Sequence, residues 1–178
     1  AHASTPEAIS RAIESGVRSI EHGNLLDAAT AARMRKADAY LVPTLVTYFA
    51  IDEIGRALGF PAASVAKVKD VLDAGLASLE IARAAGVPMG FGTDLLGETH
   101  EQQSREFSIR AQVFSPAEIL RSAKVFNAEI LNRSGELVVI APGALADLIV
   151  VDGDPLENLS LLEEQGKHLA VIMKGGQL

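Results

Sequence analysis

The chain has 178 residues, of which 48% are hydrophobic, and a formal net charge of −7 at pH 7. That length and apolar content suffice for a substantial core in one or two domains and argue against disorder. The acidic charge and the scattered basic residues argue against a nucleic-acid partner, because phosphate binding needs clustered Lys and Arg. No apolar run approaches the roughly 20 residues of a membrane span, so no membrane partner is expected. Cysteine is absent, which leaves His, Asp and Glu as candidate metal ligands and the compartment open, with the cytoplasm favoured.

The first half of the chain predicts alternating helices and strands. Ser4 or Thr5 is placed to cap the first helix, with Pro6 in its first turn. Because the strands are apolar along their length and alternate with helices, we predict an α/β fold with a parallel sheet buried on both faces. The third strand is expected to break at Pro43 and to end near Thr44. In chain order the predicted elements are a helix ending at Gly16, a strand at 17–21, a helix at 27–34, a strand at 40–48, an irregular excursion at 49–63, a helix at 64–85 and a strand at 87–92.

The remainder predicts helices followed by a small antiparallel unit. Ser115 and Glu118 have the spacing of a capping box and open one of these helices. From Gly135 the pattern changes to short strands separated by turns, with no room for crossover helices between the first two. We therefore predict two domains, at 1–134 and 135–178. The predicted elements are a polar loop at 94–103, a helix through Val113, helices from 115 and over 124–131, and strands at 136–140, 148–151 and 169–174.

Three predicted strands end in polar residues that suit a divalent metal ion. His2, His22 and Asp94 each stand at or just beyond the end of a strand, in the stretches Ala-His-Ala, Ile-Glu-His-Gly and Phe-Gly-Thr-Asp. Because the carboxyl ends of parallel strands converge on one face of a barrel, we expect the three side chains to lie close enough to share one metal or a metal pair. The sequence therefore predicts part of a hydrolytic metal centre.

These three motifs, together with the tail Ala-Pro-Gly-Ala-Leu-Ala-Asp-Leu-Ile-Val-Val-Asp-Gly-Asp-Pro at 141–155, resemble the carboxyl-terminal half of the amidohydrolase superfamily. The resemblance covers almost the whole chain. It is strongest to the branch of imidazolonepropionase-like enzymes, Xaa-Pro dipeptidases and arginine carboxypeptidases. It implies strands five to eight of a (β/α)8 TIM barrel, followed by the carboxyl-terminal strands of a small β-sandwich that is shared with the amino-terminal segment.

The resemblance also implies a chemistry. His2, His22 and Asp94 would bind Zn²⁺ as one or two ions, and Asp94 would act as the catalytic base. The implied reaction is hydrolysis of an amide or peptide bond, in a dipeptide or an N-acyl amino acid, by a metal-activated hydroxide. Tyr48 and His100 are candidates for substrate binding, because both follow strands whose ends face the metal. The small-molecule substrate is the expected partner.

Several alternatives stay open at this point. His2 could be a frayed terminal residue, His22 a hydrogen-bonding loop residue, and Asp94 a helix cap. In a mononuclear cyclic-amide hydrolase or deaminase, His22 would contact the substrate instead of a second metal. Tyr48 could pack under its loop, and His100 could be solvated. A non-catalytic α/β module, in which these residues are incidental, is a further alternative.

Two features of the family have no counterpart in the sequence. The His-x-His pair after strand one is missing, as is the bridging carboxylated Lys or Glu after strand four. Only four strands precede Gly135, whereas a complete barrel has eight. We therefore expect a fragment whose missing half comes from truncation, a nicked partner or an oligomer. A homo-oligomer is a further expected partner. The isolated chain is expected to be inactive, with two raw parallel sheet edges.

Overall fold

The computed structural model describes residues 1–178, apart from the side chain of Gln165. Helices and strands alternate through its first half. A 3₁₀ segment spans Gly97–Arg105, and a π-helical turn at Ser122–Phe126 links the last two helices into one continuous rod. The strands are β1 (His2–Ala3), β2 (Ser19–His22), β3 (Tyr40–Val42), β4 (Leu148–Val151) and β5 (Leu169–Met173). The helices are α1 (Pro6–Glu14), α2 (Ala28–Lys36), α3 (Leu45–Ile54), α4 (Ala62–Ala84), α5 (Glu106–Arg110), α6 (Pro116–Arg121) and α7 (Asn127–Ile130).

Local capping explains where three helices begin. Thr5 Oγ1 accepts the N–H of Ala8 at the start of α1, and Asp27 caps α2 in the same way. Ser115 and Glu118 form the predicted capping box at α6. The three predicted helix starts are therefore confirmed. Each cap lies within four residues of the helix that it starts.

The first three strands form a parallel sheet in the order β1-β2-β3. His2 is in register with Glu21, and Ile20 is in register with Leu41. Ile20 and Leu41 are fully buried, and they share a core with side chains from the flanking helices, including Ile9 and Met34. The predicted parallel sheet is therefore confirmed, and its carboxyl edge brings the polar strand ends together.

The third strand ends just before Pro43, close to the predicted end near Thr44, and so covers only the first part of the apolar run at 40–48. β3 ends at Val42, and the apolar residues assigned to its second half belong to helix α3. Pro43 cannot donate a ladder hydrogen bond, and Thr44 leaves the extended conformation with φ −136° and ψ 55°. The predicted irregular excursion at 49–63 is thereby reduced to the short connection between α3 and α4.

The predicted fourth strand at 87–92 is reduced to a single parallel bridge between Leu41 and Met89. We expected the outer edge of this segment to be unpaired. Instead, side chains of the continuous helical segment from α6 to α7 cover it. Ser122 Oγ donates to the carbonyl of Met89, and the Asn127 side-chain amide bonds both the N–H and the C=O of Phe91. These bonds satisfy backbone groups that a further strand would otherwise pair.

Two other segments differ from the prediction. The loop predicted at 94–103 contains the 3₁₀ segment Gly97–Arg105. The strand predicted at 136–140 is wrong, because Val138 has a φ of +58°, and only an isolated bridge joins Ser134 to Leu137. β4 and β5 pair antiparallel, as predicted. Among the residues described, no helix combines the length and apolarity needed to cross a bilayer.

Candidate active site

Two histidines from neighbouring strands meet at the carboxyl edge of the sheet. His2 Nδ1 lies 2.7 Å from His22 Nε2, and the two ring centroids are 4.8 Å apart. His2 is exposed, whereas His22 is 9% exposed. Imidazole nitrogens that converge in this way suit a divalent metal ion of the zinc type.

An unusual backbone conformation orients the His22 ring towards His2. Along a strand, side chains alternate between faces, so strict alternation would place His22 on the face of Ile20, away from Glu21 and its register partner His2. His22 instead has a φ of +80°, in the left-handed region that non-glycine residues seldom adopt. The residue therefore leaves the extended conformation, and its ring contacts His2.

Thr44 holds the other nitrogen of the His22 ring. The buried Thr44 Oγ1 lies 2.8 Å from His22 Nδ1. If His22 donates this hydrogen from Nδ1, its Nε2 keeps a lone pair that faces His2. Burial lowers the pKa of His22, and the carboxylate of Asp94 opposes that effect. This environment favours the neutral ring that metal ligation requires.

Tyr48 lies on α3, one turn beyond Thr44, and its ring packs edge-on against His22 at a centroid distance of 6.4 Å. The side chain is half-buried. Burial raises the pKa of the Tyr48 phenol, and the charge of Asp94 adds to the effect. The phenol is therefore protonated at neutral pH and is able to donate a hydrogen bond beside the histidine pair.

Asp94 lies beyond the bridge at Met89, with an exposed side chain and a φ of +53°. Its charge raises the pKa of both His22 and Tyr48, which places it in the same electrostatic neighbourhood. Asn127 fixes the approach to Asp94 by pairing both backbone polar groups of Phe91. His2, His22 and Tyr48 thus lie together at one edge of the sheet, and Asp94 acts on the pKa of two of them through its charge.

His100 is the predicted site residue that the structure leaves apart. It is exposed on the 3₁₀ segment, and among the described residues no hydrogen bond or ring contact joins it to the histidine pair. Glu21, for which no role was predicted, accepts a hydrogen bond from Ser19 Oγ and does not orient His22.

A buried ion pair beneath the site was not predicted. Glu106 is 0% exposed and Arg110 is 1% exposed, with Arg110 Nε 2.7 Å from Glu106 Oε1. Arg110 also donates to the carbonyls of Pro43 and Gly90, and Glu106 accepts the N–H of Val46. Burial raises the pKa of Glu106, while Arg110 and the N–H groups at the start of α3 oppose the rise. The one sequence signal was the pairing of Glu106 and Arg110 at i,i+4 beside apolar residues.

The donor set fits part of a metal site. The two imidazoles supply converging nitrogens, and Asp94 supplies a carboxylate nearby. Within the described residues, however, no three His, Asp or Glu side chains are gathered closely enough to hold a metal ion by themselves. A metal bound at this edge would thus need further ligands.

The profile of the amidohydrolase family matches residues 1–178. The chain belongs to the amidohydrolase family. Members of this family generally use divalent metal ions, which agrees with the chemistry of the paired imidazoles. The solved structures that resemble this chain belong to the TIM-barrel superfamily of amidohydrolases. The predicted resemblance is therefore confirmed, and the mixed α/β structure agrees with that superfamily.

Three relatives of this amidohydrolase chain are similar to it in sequence. A prolidase crystallised with N-methylphosphonate-L-proline is 52% identical, with a TM-score of 0.96, and the match covers 99% of this chain and 43% of the prolidase. An Xaa-Pro dipeptidase with methionine bound in its active site is 32% identical, with a TM-score of 0.88, over 99% of this chain and 43% of that protein. Ochratoxinase of Aspergillus niger is 26% identical over 100% of this chain and 37% of its own length.

By these comparisons the amidohydrolase chain is similar in sequence and structure to a prolidase and an Xaa-Pro dipeptidase. The comparisons also show that the chain spans less than half the length of the relatives that it matches.

Proposed function

We propose that the chain is the carboxyl-terminal part of a metal-dependent enzyme that hydrolyses the amide or peptide bond of a dipeptide or an N-acyl amino acid. The observation that carries the proposal is the contact between His2 and His22, in a fold that matches a prolidase at a TM-score of 0.96. Among dipeptides, those with carboxyl-terminal proline are the first to test, because that prolidase binds a phosphonate analogue of a prolyl compound.

In this proposal β1, β2, β3 and the segment bridged at Met89 are strands five to eight of a TIM barrel. Their parallel order supports the assignment, as does the free outer edge of β1. The other half of the barrel would come from the remainder of the polypeptide or from another chain. It would supply the missing ligands and pair with β1.

Residues 135–178 would form part of a separate β-sandwich, and 1–134 part of the barrel. The two strands β4 and β5 expose apolar side chains on both faces, including Leu148 at 41%, Ile149 at 49% and Ile172 at 59%. A two-stranded ribbon of this kind is only marginally stable in water without a covering layer. These exposed residues support the presence of further sandwich strands in the intact protein.

His2, through Nδ1, His22, through Nε2, and Asp94 would hold the divalent ion, which we propose to be Zn²⁺. When bound, such an ion makes water nucleophilic near neutral pH. Asp94 would take the proton released as water attacks the carbonyl and pass it to the leaving amine. Tyr48 would donate to the substrate carboxylate, and His100 would contact the substrate from the exposed 3₁₀ segment.

Removal and restoration of metal in the intact protein tests the proposal. Chelation is expected to abolish hydrolysis of Xaa-Pro dipeptides or N-acyl amino acids, and added Zn²⁺ is expected to restore it. His22→Ala should lose the activity, whereas the matched variant His168→Ala, in the turn before β5, should retain it. Hydrolysis that survives chelation, or equal activities of these two variants, would contradict the proposal.

A further inference from the structure

We propose that Glu106 and Arg110 are positioning residues that fix His22 through Thr44, so that the His22 Nε2 lone pair is presented for metal binding. The inference rests on the proposed function, because it concerns His22 as a ligand. Neither residue touches His22 or the reacting atoms. Both act on the backbone on either side of Thr44.

The first step of the argument is an exchange of helix caps. Thr44 occupies the N-cap position of α3, where a threonine hydroxyl ordinarily accepts an N–H from the first turn. Thr44 makes no such bond, and its hydroxyl lies 2.8 Å from His22 Nδ1 instead. The N–H groups at the start of α3 consequently need another acceptor.

Glu106 provides that acceptor from another helix. Its Oε2 accepts the N–H of Val46 at 2.8 Å, in a fully buried position 60 residues away in sequence. A carboxylate at a helix N-terminus also interacts favourably with the helix dipole. Because Glu106 caps α3, the Thr44 hydroxyl is released to bind the imidazole.

Arg110 fixes the other side of Thr44. Its guanidinium donates to the Pro43 carbonyl at 2.8 Å and to the Gly90 carbonyl at 2.8 Å, while Nε bonds Glu106. The Arg110 guanidinium is therefore bonded directly to the peptide unit before Thr44, and through Glu106 to the helix after it. The same group joins β3 to the segment that leads to Asp94.

The energetics of burial favour a positioning role over a purely stabilising one. Two buried charges lose their hydration, and replacing such a pair by apolar side chains is often neutral for stability. What apolar side chains cannot reproduce is the set of directed bonds to the Pro43 carbonyl and the Val46 N–H. The ligand nitrogen of a metal-binding histidine depends on how its other nitrogen is held, and loss of such a partner typically lowers metal affinity about 10- to 100-fold.

Variants of the intact protein separate the two roles. Thr44→Val replaces the hydroxyl by a methyl group, whereas Thr44→Ser keeps the hydroxyl. The double variant Glu106→Leu/Arg110→Met removes both charges and the directed bonds that the pair makes, without leaving one charge buried and unpaired. Arg83→Lys, in the exposed pair with Glu118, is the matched control. Zn²⁺ affinity by chelator competition, and the His22 tautomer from nitrogen-15 shifts of the metal-free protein, are the two readouts.

We expect the double variant to melt at a lower temperature, because buried backbone groups lose their partners. In its folded state it should bind Zn²⁺ about 10- to 100-fold more weakly and lose the uniform Nδ1–H tautomer of His22. Thr44→Val should show the same losses, and Thr44→Ser and Arg83→Lys should show neither. Because the residues act through Thr44, adding Thr44→Val to the double variant should lower the affinity no further.

Wild-type affinity and tautomer in the folded double variant would overturn the inference, as would additive losses in the combined variant. If the double variant does not fold, Arg110→Lys is measured in its place, and it is held to the same two outcomes. A wild-type protein that binds no Zn²⁺ would contradict the proposed function instead, while the tautomer of the metal-free protein would still decide this inference.

Discussion

Two of the three proposed ligands have left-handed backbone conformations. His22 has a φ of +80° and Asp94 a φ of +53°. Each such conformation costs about 1 to 3 kcal/mol and persists only where the surroundings enforce it. Thr44 on the His22 ring and Asn127 on the strand before Asp94 provide that enforcement. Two of the six non-glycine residues with a left-handed φ in the described chain thus lie at the candidate site.

Asp94→Asn tests the catalytic role of that carboxylate. Asn tolerates the left-handed backbone as well as Asp does, so the fold is preserved, but an amide cannot accept the proton. We expect kcat of the intact protein to fall roughly 100- to 10,000-fold, with a smaller change in KM. Asp38→Asn, at an exposed left-handed residue paired with Arg35, is the control. Near wild-type kcat in Asp94→Asn, with metal in place, would assign the base to another group.

Tyr48→Phe tests recognition of a substrate carboxylate. The phenol is half-buried beside His22 and protonated, so its loss should mainly raise KM for a substrate that ends in a free carboxylate. The neutral amide analogue of the substrate should be little affected. Tyr40→Phe is the control. Tyr40 is the first residue of β3, and its hydroxyl donates a hydrogen bond to Glu129. Equal losses on the two substrates would eliminate carboxylate recognition.

Among individual residues, those at strand ends could be anticipated and those that support them could not. His2, His22 and Asp94 stand in recognisable motifs. Thr44 carries no such signal, because its role depends on the ring that lies against it. Glu106 and Arg110 act across 60 to 67 residues of sequence, and only the fold shows which backbone groups they reach.

At the scale of elements, α3 lies between the site and the long helix α4. Gly75 on α4 permits this close approach, since a Cβ there would lie 2.6 Å from Leu45 Cδ2 and 3.4 Å from Asn24 Nδ2. Leu45 is the first residue of α3 and is 1% exposed. The spacing of these two helices therefore depends on the absence of a side chain at Gly75.

Gly75→Ala is expected to destabilise the protein although alanine is the better helix former. Displacing the buried Leu45 costs about 1 to 3 kcal/mol, which exceeds or offsets the gain of about 1 kcal/mol in helix propensity. A lowered melting temperature in thermal unfolding would show this. Ala77→Gly, at an exposed position of the same helix, measures the propensity term alone. A higher melting temperature for Gly75→Ala would mean that the helices separate without cost.

Helix starts could be predicted where the cap is local, and not where it is remote. Thr5 and Ser115 cap their own helices, and both starts agree with the sequence pattern. α3 follows Pro43 directly, and its apolar first turn has the composition of a strand. Its cap comes from Glu106 on α5, so a local pattern gives no sign of where this helix begins.

At the scale of the whole molecule, the chain carries one edge of the proposed metal site. Asp94 is the third proposed ligand, but among the described residues no three such side chains are gathered closely enough to hold a metal ion by themselves. The strands β4 and β5 also leave apolar side chains uncovered. Both features are expected of a chain that spans about two fifths of the length of its relatives.

The isolated 178-residue chain is accordingly expected to be inactive and to bind Zn²⁺ weakly. Loss of several ligands removes the closed coordination that tunes the bound water. Hydrolysis assays and metal titrations on the purified chain check this, with the intact protein as the positive control. Turnover of an Xaa-Pro dipeptide by the isolated chain at a rate typical of enzymes would refute it.

Anomalous X-ray scattering at the zinc edge, on crystals of the intact protein grown with Zn²⁺, tests the central claim most directly. We expect a peak about 2.0 to 2.1 Å from both His2 Nδ1 and His22 Nε2, with Asp94 and residues outside the present chain supplying the remaining ligands. A zinc peak remote from this pair, or a bound zinc that leaves His22 to contact only the substrate, would contradict the account.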